Sequence, residues 1–215
     1  MKHPIFFLFI LMLFSSTLQA KYLRATLFME NGVIKKGLAE KVQSTDSKVN
    51  FKTDDRSKIE KIASREIKRI EFEDADGTTY IAENLYAVTA NILSGKFSRS
   101  SKKKWFYMIY DKNARIGYIT ETGSNRPNAG GTSRVITYGN TAYFFGKKDS
   151  EELVFGYSES SGSNLAVGTD SLIRKMAAEA FGDCPQIMDA IQKTDFSQTQ
   201  AIDQLKAIFE HNTCP

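Results

Sequence analysis

From about residue 22 to residue 157 the apolar residues of this chain recur at every second position, and from about 172 onward they recur every three to four. The first period belongs to strands that bury one face, and the second to amphipathic helices. A chain patterned this way predicts an α+β fold, mostly antiparallel β with a C-terminal helical segment. An apolar fraction of 41% and a charged fraction of 25% can fill a packed core, so general disorder is excluded.

The strand signals are local. Leu23, Ala25, Leu27 and Met29 alternate with Arg24, Thr26, Phe28 and Glu30, and Asn31-Gly32 follows as a hairpin turn, expected as type I′. The return strand runs from Val33 to about Val42, with Gly37 as a bend or bulge. Lys48–Lys52 reads as a third strand. Lys58–Ala63 and Ile67–Phe72 read as strands around a tight turn at Ser64–Glu66. Asp76-Gly77 then turns into Thr78–Ala82.

The stretch LFMENGVIKKG, from Leu27 to Gly37, and the later REIKRIEF, from Arg65 to Phe72, resemble a small bent barrel of the Sm-like or SH3-like kind. The resemblance implies a small barrel-like module over 21–93. Sm-like proteins often bind RNA, but an exported chain rarely meets it, so architecture alone is carried over.

Export is the reading of residues 1–20. Lys2, the unbroken apolar run from Ile5 to Phe14 and the small polar stretch up to Ala20 have the three-part layout of a secretory signal peptide. Ten helical residues rise only about 15 Å, half the hydrocarbon thickness, so a membrane anchor is disfavoured. No later run is long enough to span a bilayer, and no integral span is expected after signal removal. The chain is therefore expected to be periplasmic or secreted. Lys2 is the one charge lost, which takes the net charge from +4 to +3 and falls well short of a nucleic-acid footprint.

Residues 94–104, SGKFSRSSKKK, read as a basic linker. The bland reading is a solvated connection; the sharper one makes Lys102, Lys103 and Lys104 a contact for an anionic surface. A β-meander is expected over 105–170, with strands at Trp105–Tyr110, Ile116–Thr120, Val135–Tyr138, Tyr143–Phe145 and Leu153–Tyr157. Two long polar loops, Gly123–Arg134 and Ser158–Asp170, separate them.

The helical tail spans 171–215. Leu172, Met176, Ala177, Ala180 and Phe181 share one face, ended by Gly182. Capping boxes are expected at Asp183/Gln186 and Ser197/Gln200, opening helices with faces Ile187-Met188-Ile191 and Ile202-Leu205-Ile208-Phe209. Cys184 and Cys214 then fall on the same side of a helical hairpin, and in an oxidising compartment they are expected to join. A reactive thiol or a metal site with His211 is the competing reading, but zinc wants four ligands.

Phe181-Gly182-Asp183-Cys184-Pro185, the spacing to Cys214 and the NGVIKKG turn resemble a group of uncharacterised exported proteins of Gram-negative bacteria. The resemblance implies location and layout, not an activity.

Catalytic equipment is sparse. Asp74, Asp76 and Gly77 suit a hairpin turn better than a calcium loop, and His211 is the sole histidine outside the leader. No catalytic residue, cofactor or metal site is assigned. Glu121, Glu152 and Glu159 are carboxylates of the second β block, and nothing in the sequence singles out any of them. The aromatics Trp105, Tyr107, Tyr110, Tyr118, Tyr138, Tyr143, Phe144 and Tyr157 fall on successive strands. One alternating set must build the core, and the other can form a platform for a glycan or a partner protein. The expected function is a non-enzymatic binding or assembly-supporting protein of the cell envelope, with an envelope protein or a glycan as partner. The alternative is a carboxylate-dependent hydrolase of cell-wall or glycan material.

Overall fold

A computed structural model describes residues 22–91, 94–121, 124–127, 134–137, 139–160, 169–196 and 200–214. The leader reading and the Ser197 cap lie outside the described residues, and so does Tyr138. The fold is α+β, mostly antiparallel sheet followed by three C-terminal helices, as the change of period predicts.

The N-terminal strands are β1 (Tyr22–Met29), β2 (Ile34–Glu40), β3 (Lys48–Lys52), β4 (Glu60–Ala63) and β5 (Ile67–Glu73), with a 3-10 turn at Ser64–Glu66. They lie in the order β5-β1-β2-β3-β4. The β1–β2 hairpin is present, but its turn is not type I′. The Gly32 amide donates to the Met29 carbonyl at 3.0 Å, and the Met29 amide to the Val33 carbonyl at 2.9 Å. The loop is therefore three residues long, with the glycine at φ +82°. Asp74–Thr78 repeats this arrangement around Gly77, also at φ +82°. In both turns a left-handed glycine lets the right-handed strand twist continue across the connection. Gly37 makes no bulge. It stays in register with Ala25, and a Cβ there would run into the Lys52 carbonyl of β3.

The pivotal strand is β6 (Thr79–Ala90), far longer than its sequence signal. One flank pairs with β5 and the other with β8 (Lys104–Asp111). Its end also pairs with β7 (Phe97–Arg99), which lies within the basic segment 94–104. The chain continues through β9 (Ala114–Glu121), the short pair β10 (Ser124–Pro127) and β11 (Arg134–Thr137), then β12 (Asn140–Lys147) and β13 (Glu152–Ser160). The expected loop at Gly123–Arg134 thus contains a strand, β10, paired with β11. β13 returns to β6 in parallel, setting Glu152–Val154 against Tyr86–Val88. That one pairing closes β6, β8, β9, β12 and β13 into a ring of strands.

The ring has two lined faces. Leu85, Phe106, Ile119, Phe144 and Leu153 pack together as one core, with Phe106 and Phe155 each edge-on to Phe144. The opposite face carries Val88, Ile116, Phe145, Val154 and Tyr157 beneath the helices. Two register shifts sort residues between these faces. One lies between Met108 and Tyr110 and turns Tyr110 toward the helices; the other lies between Tyr143 and Phe144.

The helices are α1 (Thr169–Phe181), α2 (Pro185–Lys193) and α3 (Ala201–His211). Ile173, Met176, Ala177 and Phe181 of α1, Ile187 and Ile191 of α2, and Leu205 and Phe209 of α3 are buried in one cluster with the ring. Each full burial of a side chain this size contributes about 1.5–3 kcal/mol. The capping box expected at Asp183/Gln186 does not form. Cys184 is the N-cap of α2 without a side-chain cap, and Asp183 instead meets Lys147 at 2.5 Å. Pro185 at the first turn already lacks one of the amides a cap would satisfy. Gln200 stands at the N-cap position of α3, without a side-chain cap.

Candidate binding groove

Four tyrosines stand in direct cross-strand register. Tyr107 of β8 lies opposite Tyr118 of β9, Tyr118 opposite Tyr143 of β12, and Tyr143 opposite Tyr157 of β13. Their ring centroids step 5.8, 6.4 and 5.1 Å from one strand to the next, close to the spacing of the strands themselves. The row therefore runs across the sheet, perpendicular to the chain.

This face has two covers, and the row occupies the seam between them. Trp105, two residues before Tyr107, is buried in the N-terminal core with Phe51, Ile62 and Phe72, and its indole donates to Ser64 Oγ at 3.1 Å. Ile116 and Phe145, two residues from Tyr118 and Tyr143 on the other side, are buried under the helices. Tyr107, Tyr118 and Tyr143 remain half-buried, while Tyr157 is nearly closed over. Two cavities open over the row. One, of about 460 Å³, is walled by Ile202, Asp203 and Lys206 of α3; the other, of about 290 Å³, is walled by Lys41–Ser44 and Tyr80. Tyr118 lines both.

The hydroxyls are anchored at both ends. Tyr107 donates to the Val42 carbonyl at 3.0 Å, and Tyr143 and Tyr157 each donate to the Glu159 carboxylate at 3.3 Å. Burial is the main cause that pushes Tyr107 and Tyr143 up to about 12, with Tyr118 adding to the first and Glu159 to the second. Tyr118 and Tyr157 are raised by burial as well. At neutral pH the row is thus an uncharged line of phenols.

The structure separates the three carboxylates that the sequence left equivalent. Glu159 joins the tyrosine row, Glu152 pairs with Arg99 at 3.6 Å, and Glu121 ends β9. Alternation by itself carried the signal for the row, since each tyrosine is predicted on a strand. Their common register depends on pairings that sequence reasoning did not specify.

A second polar cluster lies where the N-terminal sheet meets the ring. Glu83 and Arg115 are buried and directly paired, Arg115 Nε lies 3.3 Å from Asp111, and Arg69 Nη1 reaches Glu83 at 3.3 Å and Asp111 at 3.4 Å. A cavity of about 600 Å³ borders these groups. Sequence reasoning missed the cluster because its members come from β5, β6, β8 and β9.

Cys184 and Cys214 form a disulfide with Cα atoms 5.0 Å apart. Asp183 lies close enough to both sulfurs to suggest a metal triad, but the sulfurs are bonded to each other and Asp183 is held by Lys147. His211 Nδ1 lies 2.8 Å from the Ala207 carbonyl oxygen of its own helix. Asp76 serves the hairpin turn, accepting from the Thr78 amide at 2.8 Å. Of the basic run, Lys102 is exposed, Lys103 pairs with Glu30 at 3.2 Å, and Lys104 opens β8 opposite Leu85.

The class so defined is an α+β protein with a closed strand ring, a disulfide-tied helical cover and a tyrosine-floored groove. No family model, curated protein or solved structure matches the chain.

Proposed function

We propose that this chain is an exported, non-enzymatic binding protein of the cell envelope, and that its ligand lies in the tyrosine-floored groove. The observation that carries the reading is the row itself. Four phenols stand in register; Tyr107, Tyr118 and Tyr143 stay half-buried between the N-terminal sheet and the helices, while Tyr157 is buried beneath the helices. Half-buried aromatic rings with polar walls are the chemistry of recognition surfaces, combining contact area with a hydrogen-bonding handle. The disulfide fits an oxidising compartment, where such bonds persist. The signal-peptide layout and the resemblance to exported Gram-negative proteins point to the same place.

The hydrolase alternative draws on Glu83 and Asp111, two carboxylates held on one Arg69 nitrogen beside an open cavity. Both carboxylates are engaged in ion pairs with arginine, Glu83 with Arg115 and Arg69 and Asp111 with Arg69 and Arg115, rather than presented free to a substrate. The anionic-surface reading is weakened by the Lys103–Glu30 pair.

The test has two parts. Cell fractionation with mass spectrometry of the N-terminus should recover a chain beginning at Lys21 from the envelope or the medium. Hydroxyl-radical footprinting in envelope extract should then show protection at Tyr118 and Tyr143 that saturates with extract concentration. Unprotected tyrosines, together with release of soluble sugar from purified sacculi that stops in Glu83→Gln, would replace the binder with the hydrolase.

A further inference from the structure

We infer that the groove takes a neutral, extended oligosaccharide with equatorial linkages, an inference that rests on the binding reading above and names its ligand class. The steps of 5.8 and 6.4 Å between Tyr107, Tyr118 and Tyr143, the three rings left half-buried, are close to the length of one pyranose unit in such a chain. Three successive sugars can therefore meet these three rings, while Tyr157 lies buried against Tyr143 at the end of the row. Equatorial substituents leave the axial C–H groups bare on both sugar faces, and the electron-rich face of a tyrosine covers such C–H groups well.

The walls supply what the edges of a sugar need. Gln43, Ser44 and Thr141 can each donate and accept, and Asp203 and Lys206 stand on α3, 3.4 Å from each other. Hydroxyls that project from the edge of a ring stacked on the floor point toward these side chains.

Other occupants fit less well. A peptide that binds by strand addition gains its affinity from backbone pairing at a sheet edge. The groove instead crosses β9 and β12, which have a neighbour on each side, so their backbone groups are committed to the ladder. An anionic glycan or a phosphate would meet Glu159 and Asp203; among the described lining residues Lys206 is paired to Asp203 and Lys41 of the other cavity to Asp74 at 3.6 Å.

The experiment is calorimetric titration of the full chain, after signal removal, with cellohexaose and with chitohexaose. Saturable 1:1 binding of at least one is expected. Tyr118→Ala should weaken it about tenfold or more, and Tyr118→Phe, which keeps the ring, should stay near wild type. Thermal unfolding of each variant shows that the fold is intact. Should Tyr118→Ala fail to fold, Lys206→Ala on the opposite wall is the substitute, expected to weaken binding by a smaller factor. If neither hexasaccharide binds while a pool of extended peptides does, in a Tyr118-dependent way, the glycan inference falls and the binding reading stands. If nothing binds, the inference also falls. If a hexasaccharide binds and is shortened, as seen by mass spectrometry, the ligand class stands and the non-enzymatic reading falls.

Discussion

The N-terminal sheet and the strand ring share β6, yet they are assembled by different means. β1 to β5 are joined mainly by short connections, and two of their turns, at Gly32 and Gly77, have the same geometry. Their core is largely aliphatic, with Leu27, Val49, Ile62, Ile67 and Ile70 around Phe51 and Phe72. The ring depends instead on the distant β6–β13 pairing, on aromatic contacts such as Phe145–Phe181 and Phe181–Phe209, and on helices tied by a disulfide. Bulky aromatics and a separate helical cover leave a seam that small aliphatics on a continuous sheet would close. The groove is a consequence of that second mode of assembly.

The largest expected effect tests whether the two regions are separable. Phe72→Ala opens a void in the N-terminal core and Phe181→Ala opens one beneath the helices; each should cost about 3–5 kcal/mol. Because β6 belongs to both regions, urea unfolding should show one shared transition in either variant. Two resolved transitions would mean that the regions fold as separate units.

The disulfide sharpens the contrast at a slightly smaller cost. With a sequence separation of 30, replacing both Cys184 and Cys214 by serine should destabilise by about 3–4 kcal/mol in the chain-entropy model. The loss should be uneven. Hydrogen exchange should quicken in α2 and α3 while the amides of β1, β2 and β5 keep their protection. Equal loss in both regions would break the distinction.

The smallest effect is one of pH and belongs to the ring side. An unfolded tyrosine loses its proton near pH 10, whereas Tyr107 and Tyr143 hold theirs to about 12 in the fold. The native state thus binds more protons than the unfolded state across that window. Its stabilisation is complete below about pH 10 and declines as the pH rises toward 12. Phenolate absorbance should show a late titration phase that vanishes in urea. Ordinary titration of all tyrosines in the native protein would show that the row is open to water.

Much of the fold was legible because its signals are local. The 3-10 turn at Ser64–Glu66, the strand Lys48–Lys52 and the apolar faces of the three helices follow from residues within one or two turns of each other. The turn type at Asn31-Gly32 was misread because Asn-Gly suits both a two-residue loop and a three-residue loop. The outcome is decided by which residues pair across the strands. The missing cap at Asp183 has a similar origin, since Lys147, far away in sequence, engages Asp183.

For this chain the sequence alone determined the period of each segment, and with it the strands, the helices and the class of fold. It also placed two cysteines where a helical hairpin brings them together. The tertiary structure decided the closure of the ring, the meeting of Glu83 with Arg115, and the common register of Tyr107, Tyr118, Tyr143 and Tyr157. Periodicity reports which face of its own strand a residue occupies. Which residues it stands beside is set by strand pairing and by the two bulges, and those depend on packing across the whole molecule.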